Sequence, residues 1–158
     1  MYRIYFVLLL SLLFTACDDS TSHHSHHDHG HSEAHAEGSV APPLNPVSVI
    51  GGITVVEMTG NDRMKYNLEA FSVPAGSLVK LNFRNVGKMP KAVMGHNVVF
   101  LKADVDSGAF ATAAAAARDN EYIPVQFEDQ ILARTNLLGS GESDTIEFTA
   151  PNTSGDYE

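Results

Sequence analysis

The chain has 158 residues, with 19 Asp and Glu against 10 Lys and Arg and a formal net charge of −9 when histidine is neutral. That acidic balance argues against a nucleic-acid partner, for which a basic patch is required. Its length, less a leader and a polar tail, leaves about a hundred residues for a core, the size of one domain.

Met1 to Ala16 carries one early cation, Arg3, and then an apolar run from Ile4 to Phe14 broken only by Tyr5 and Ser11. This is the pattern of a secretory leader, too short for a spanning helix, which needs about 20 apolar residues. Phe14-Thr-Ala-Cys17 resembles the cleavage box of bacterial lipoproteins. Residues 1–16 are therefore expected to be removed, and Cys17, the sole cysteine, to become a lipid-bearing N-terminus at the membrane surface of the periplasm or cell envelope. A leader with a stray cysteine is the alternative. With Cys17 acylated, no disulfide can form within the chain.

Residues 17–46 turn to Ser, His, Asp, Glu, Gly and Pro with no apolar periodicity, the composition of a disordered tether. Within it His23, His24, His26, His27, His29, His31 and His35 lie close enough for their imidazoles to take Cu, Ni or Zn as an auxiliary site. A polar linker whose histidines bind nothing specific is the plain alternative.

From residue 47 the pattern becomes globular. Val47 to Met58 reads as a first strand with a bulge or bend at Gly51-Gly52, and Gly60-Asn-Asp62 as a turn. Met64–Asn67 and Ala70–Val73 read as short strands, and Pro74-Ala-Gly76 turns the chain. Val79, Leu81 and Phe83 alternate with Lys80, Asn82 and Arg84, apolar in and polar out. Asn97–Leu101 is the next strand. Asp104 to Arg118 breaks the β pattern: Asp104 or Ser107 can cap a helix and the alanine run 113–117 favours one, although a low-complexity linker fits as well. Gln130–Leu138 and Thr145–Thr149 read as strands around a loop with two glycines, and Pro151 onward as a turn and the opening of another strand. Short strands at regular spacing with one inserted helix predict an all-β, antiparallel Greek-key sandwich over residues 47–158.

His96 lies between two of these strand signals. Gly95 before it allows close backbone approach, and Asn97 after it can bond neighbouring backbone in a turn. A rigid imidazole suits a metal, yet one histidine makes no site, since transition-metal centres take three or four protein ligands. An ordinary histidine with both ring nitrogens paired is the other reading. No catalytic triad or paired-carboxylate site is identifiable, so the residues indicate a carrier or binding protein rather than an enzyme.

Gly60-Asn-Asp-Arg-Met64 with Tyr66-Asn67, Met89-Pro-Lys-Ala-Val-Met-Gly-His-Asn97 and Leu138-Gly-Ser-Gly-Glu-Ser-Asp144 resemble, in order and at similar spacing, segments of the azurin branch of the cupredoxins, the small blue-copper electron carriers. The resemblance implies a cupredoxin sandwich with a helical insertion and one type-1 copper. It makes His96 the first equatorial ligand, the Gly95 backbone carbonyl a weak axial oxygen and Asn97 a supporting residue behind the ligand. Met64, Met89, Val93 and Met94 match the apolar rim where redox partners such as cytochromes dock transiently. Two departures follow. Thr54 and Ser77 stand where azurins have a disulfide. The Cys-x₄-His-x₄-Met loop that supplies the other ligands has no counterpart before Glu158, so the copper site and the final strand or strands are expected to be incomplete in this chain. Two other functions remain open: a lipoprotein that binds or delivers metal through its histidine tract, and an interaction module that kept the fold without copper.

Overall fold

The structure is a computed structural model and describes residues 3–5 and 45–157; residues 17–44 of the tether, with its histidines and Cys17, lie outside the described residues. The strands in chain order are β1 (Arg3–Tyr5), β2 (Val47–Ile50), β3 (Ile53–Asn61), β4 (Lys65–Tyr66), β5 (Ala70–Phe71), β6 (Leu78–Asn85), β7 (Val99–Leu101), β8 (Ile131–Arg134), β9 (Ser143–Thr149) and β10 (Asp156–Tyr157). Two α-helices are inserted, α1 (Lys91–Met94) and α2 (Ser107–Ala116), and two short 3-10 helices, Arg118–Asn120 and Val125–Gln130, follow α2.

One sheet runs β2-β3-β6-β9, with β4 pairing β3; the other side of the sandwich is built from β10-β1-β5 and the β7-β8 pair. The expected bulged first strand is instead a hairpin. Gly51 and Gly52 adopt φ of 57° and 83°, the two successive left-handed residues that a tight two-residue turn requires, so β2 folds back on β3 with Val47 opposite Val56. The sandwich is also not antiparallel throughout, because β3 and β6 run parallel. The intervening chain crosses through β5 before β6 returns, which brings β6 back in the direction of β3. Arg3–Tyr5, read from the sequence as part of a leader, lies between β5 and β10.

Period-two alternation sets the core. Thr54, Val56, Met58 and Gly60 of β3 point inward, as do Val79, Leu81, Phe83 and Asn85 of β6. They meet Phe71, Val73, Val98, Phe100, Leu138 and Tyr157 from the facing layer. Phe100 stacks against Phe148 with ring centroids 4.8 Å apart and meets Phe71 edge-on at 6.2 Å.

The helix is shorter than its sequence signal and is capped by neither expected residue. Asp106 Oδ1 accepts from Ala109 N at 2.9 Å, the bond that satisfies a first-turn donor. Phe110 and Ala114, one turn apart on a single face, bury against Leu101 in a second small cluster, where Phe110 meets Phe127 edge-on at 5.5 Å. The alanine run is thus a packed helix rather than a linker. No helix among the described residues is long and apolar enough to cross a membrane.

Candidate metal centre

His96 sits where three segments far apart in sequence converge. α1 makes one turn, in which the Pro90 carbonyl accepts from Val93 N at 2.9 Å and Met94 N at 3.0 Å. Gly95 then extends, with φ −74° and ψ 143°. A Cβ at Gly95 would lie 2.7 Å from the Lys91 carbonyl oxygen, so the position needs glycine for space rather than for an unusual φ. His96 does not sit in a turn, as its neighbours suggested. It forms an isolated antiparallel bridge with Leu138, His96 N donating to Leu138 O at 3.0 Å and Leu138 N to His96 O at 2.8 Å. The bridge partner is remote in sequence, so no local pattern could reveal it.

Asn85 locks this corner from below. It is fully buried, and its Nδ2 donates to Leu138 O at 3.0 Å and to Met94 O at 3.2 Å while its Oδ1 accepts from Gly87 N at 2.9 Å. One amide therefore ties the loop after β6, the end of α1 and the His96 partner strand together. Asp62 does the same for the neighbouring loop, its carboxylate oxygens accepting from Lys88 N at 2.7 Å and Met89 N at 3.2 Å.

The imidazole is buried, with 7% of the residue exposed. Its Nε2 lies 2.9 Å from the Asn61 carbonyl oxygen. A carbonyl only accepts, so Nε2 carries the proton and the lone pair of the neutral ring is on Nδ1. Burial lowers the histidine pKa, opposed by the Asn61 carbonyl and by the nearby Asp62 carboxylate; the net lowering keeps the ring neutral, the form that ligates metals. Gly60 makes room for it, since a Cβ there would approach the ring to 3.2 Å, and Tyr66 meets it edge-on with centroids 5.8 Å apart.

Asn97 is held from two sides rather than in a local turn. Its backbone oxygen accepts from the Tyr66 hydroxyl at 2.9 Å, and its Nδ2 donates to the Glu121 carbonyl at 2.9 Å. Glu121 and Tyr122 both have left-handed backbone, φ 53° and 64°, a strained pair for non-glycine residues. The connection after α2 is thereby aimed at the histidine corner. Lys91 and Arg134 each lie 3.9 Å from the Glu121 carboxylate, exposed pairs that add little to stability.

Met64 lies in the loop after β3, and Met89, Val93 and Met94 lie in α1 or just before it, in the segment that leads into His96. Met89 and Val93 are 43% and 54% exposed, and Met64 and Met94 are half-buried. Val86, 48% exposed and bonded through its N–H to the Gly60 carbonyl, is a further exposed apolar residue; its only sequence signal was an apolar residue in a loop.

Tyr66 was read from the sequence only as part of a motif, yet it braces both His96 and Asn97. Burial pushes its phenol up from 10.0 to about 12. Because the folded value lies above the unfolded one, the neutral phenol's contribution is fully present below pH 10.0 and is lost as pH rises through about 12. An ultraviolet titration of phenolate should show a late ionisation that Tyr66→Phe removes; a titration whose late part is unchanged by Tyr66→Phe would contradict this burial.

Among the described residues no group of three His, Cys, Asp or Glu is close enough to hold a metal ion. His96 fits one position of a copper site in burial, protonation and rigidity, and the described residues do not complete the set.

Comparisons with known proteins identify the family. The profile described as "Copper binding proteins, plastocyanin/azurin family" matches residues 53–158. The azurin of Alcaligenes faecalis is 33% identical over 94 residues, 59% of this chain and 73% of the azurin. The azurin of Pseudomonas aeruginosa is 34% identical over the same shares. A solved structure of dithionite-reduced auracyanin from Roseiflexus castenholzii superposes with a TM-score of 0.50 at 29% identity, covering 61% of this chain and 75% of that one. The fold is a cupredoxin sandwich, and the chain belongs to the plastocyanin/azurin family of copper-binding proteins, whose azurin-like members carry electrons.

Proposed function

We propose that this chain is a lipid-anchored electron carrier of the periplasm or cell envelope, working through one type-1 copper to which His96 Nδ1 is the first ligand. The observation that carries this reading is the fixed neutral imidazole, its Nε2–H held by the Asn61 carbonyl and its Nδ1 left as the donor nitrogen. The Gly95 carbonyl oxygen would be a second, weaker donor to that copper, and further donors would be needed besides those the described residues offer. Copper, when bound, supplies one-electron cycling between Cu(I) and Cu(II).

The chain's own residues hold and shield the ligand. Asn85 fixes the loop that carries His96, the Asn61 carbonyl and the Tyr66 ring hold the imidazole, and Asn97 is tied to Tyr66 and to Glu121 beside it. A ligand that does not move between oxidation states lowers the reorganisation that accompanies electron transfer. Val86, Met89 and Val93 form an apolar rim through which a redox protein such as a cytochrome docks briefly, since a small, shape-adaptable contact releases quickly.

Residues 1–16 are the leader of this reading and Cys17 carries the lipid. Removal of the leader takes β1 with it, so β5 and β10 then face an open strand position. Expressed from its own coding sequence through the end of the domain and loaded with Cu(II), the protein should show an intense blue thiolate-to-copper band that His96→Ala abolishes. A colourless protein, or a blue one indifferent to His96→Ala, would overturn the assignment. Copper retained by His96→Ala but lost on deletion of residues 22–36 would place metal binding in the histidine tract instead and support a metal-delivery lipoprotein.

A further inference from the structure

The β2–β3 hairpin ends in an apolar tip that the histidine corner does not use. Val49 is 67% and Ile50 64% exposed, and they stand directly before the Gly51-Gly52 turn, where an added Cβ would meet nothing within 4 Å. Single exposed apolar residues are ordinary on protein surfaces. Here two large β-branched neighbours crown a projecting turn, in a stretch from Leu44 to Val56 without one charged side chain.

Two further facts give this tip a direction. It lies at the opposite end of β3 from the site: β3 begins at Ile53 and ends at Asn61, whose carbonyl holds the imidazole, about 26 Å of strand away. It is also next to the point where the tether enters, because β2 starts at Val47 and runs straight into the tip.

We propose that the Val49–Ile50 tip seats in the surface of the bilayer that carries the Cys17 lipid, an inference that rests on the lipid attachment proposed above. Roughly 30 residues separate Cys17 from Val47, and a stretch of that length and polar composition would hold the domain within a root-mean-square reach of about 30 Å if it behaves as a random coil. At that range a weak apolar contact becomes an intramolecular one at high effective concentration. An uncharged tip enters the headgroup boundary without the cost of desolvating a charge. The acidic chain is repelled by anionic headgroups, so the surface it suits is zwitterionic. Seated in this way, the domain points His96 and its rim away from the membrane, toward partners in the aqueous compartment.

The chain contains no tryptophan, so Ile50→Trp places a single reporter at the tip, and Val93→Trp places one beside His96. The acylated, full-length chain is reconstituted on phosphatidylcholine vesicles with or without lipids brominated near the headgroup. The expected result is a blue-shifted Ile50→Trp emission that falls by about half with brominated lipid, the depth of an interfacial side chain, while Val93→Trp is unchanged; Val49→Trp repeats the first result if Ile50→Trp fails to fold. Failure of the chain to sediment with vesicles overturns the lipid attachment and this inference with it. Sedimentation with an unquenched, water-exposed tip overturns the inference alone. A blue-shifted tip that brominated lipid does not quench also overturns it, and shows the tip buried against a second copy of the chain.

Discussion

Asn85→Ala is expected to destabilise the domain by about 3 kcal/mol, the cost of leaving buried polar groups without partners. The side chain is fully buried and holds Gly87 N, Met94 O and Leu138 O at 2.9, 3.2 and 3.0 Å. Alanine removes all three bonds and leaves a small void. Asn85→Asp should be worse than alanine, because a carboxylate oxygen would face the Met94 and Leu138 carbonyls in place of the donating amide and bury a charge with no counter-ion. The wild-type chain and both variants should be compared by urea unfolding. A loss below about 1 kcal/mol for alanine, or an aspartate variant as stable as wild type, would contradict the account of this corner. The same variant should speed hydrogen exchange at the His96 and Leu138 amides, which pair with each other's carbonyls, relative to those of β6.

The second large effect lies in the core. Phe100→Ala should cost about 4 kcal/mol, within the range for large aromatic truncations in close-packed interiors. Phe100 is 1% exposed and joins the two layers through Phe71 and Phe148. It also lies three residues beyond Asn97 in the strand that leaves the metal corner, so its loss should loosen the site as well as the sandwich. Val125→Ala, at a residue 72% exposed, is the matched control and should change stability by less than about 0.5 kcal/mol. Similar losses for the two substitutions, measured by the same unfolding experiment, would show that Phe100 is not the keystone described here.

Much of the fold was legible because period-two patterning is a strong local signal. Val79, Leu81 and Phe83 in β6 point inward as their alternation required, and the helical insertion fell where alanine-rich sequence placed it. The errors arose where a non-local partner decides. Gly51-Gly52 was read as a bend within one strand, since a bulge and a two-residue hairpin turn share the same glycine signal until pairing separates them. Likewise the parallel pairing of β3 with β6 depends on a crossover that periodicity does not encode. At the site, the spacing around His96 indicated a rigid imidazole but could not say which nitrogen was held, because that depends on the Asn61 carbonyl at the end of another strand. Asn85 and Tyr66 were missed as braces for the same reason: a buried asparagine and a tyrosine in a strand carry no sequence mark of the remote backbone groups they bind.

The proposed copper ligation requires His96 to be a neutral imidazole protonated on Nε2, with Nδ1 as its metal-binding nitrogen. Long-range proton–nitrogen correlation of the histidine rings at neutral pH tests it most directly, with His96→Ala assigning the resonance among the eight histidines and Cu(I), which is diamagnetic, as the added metal. A His96 ring in the Nε2–H form is expected before metal, and a shift concentrated on Nδ1 when Cu(I) is added to the protein expressed through the end of its domain. A His96 ring protonated on Nδ1, or one that stays unchanged while the tether histidines respond, would contradict it.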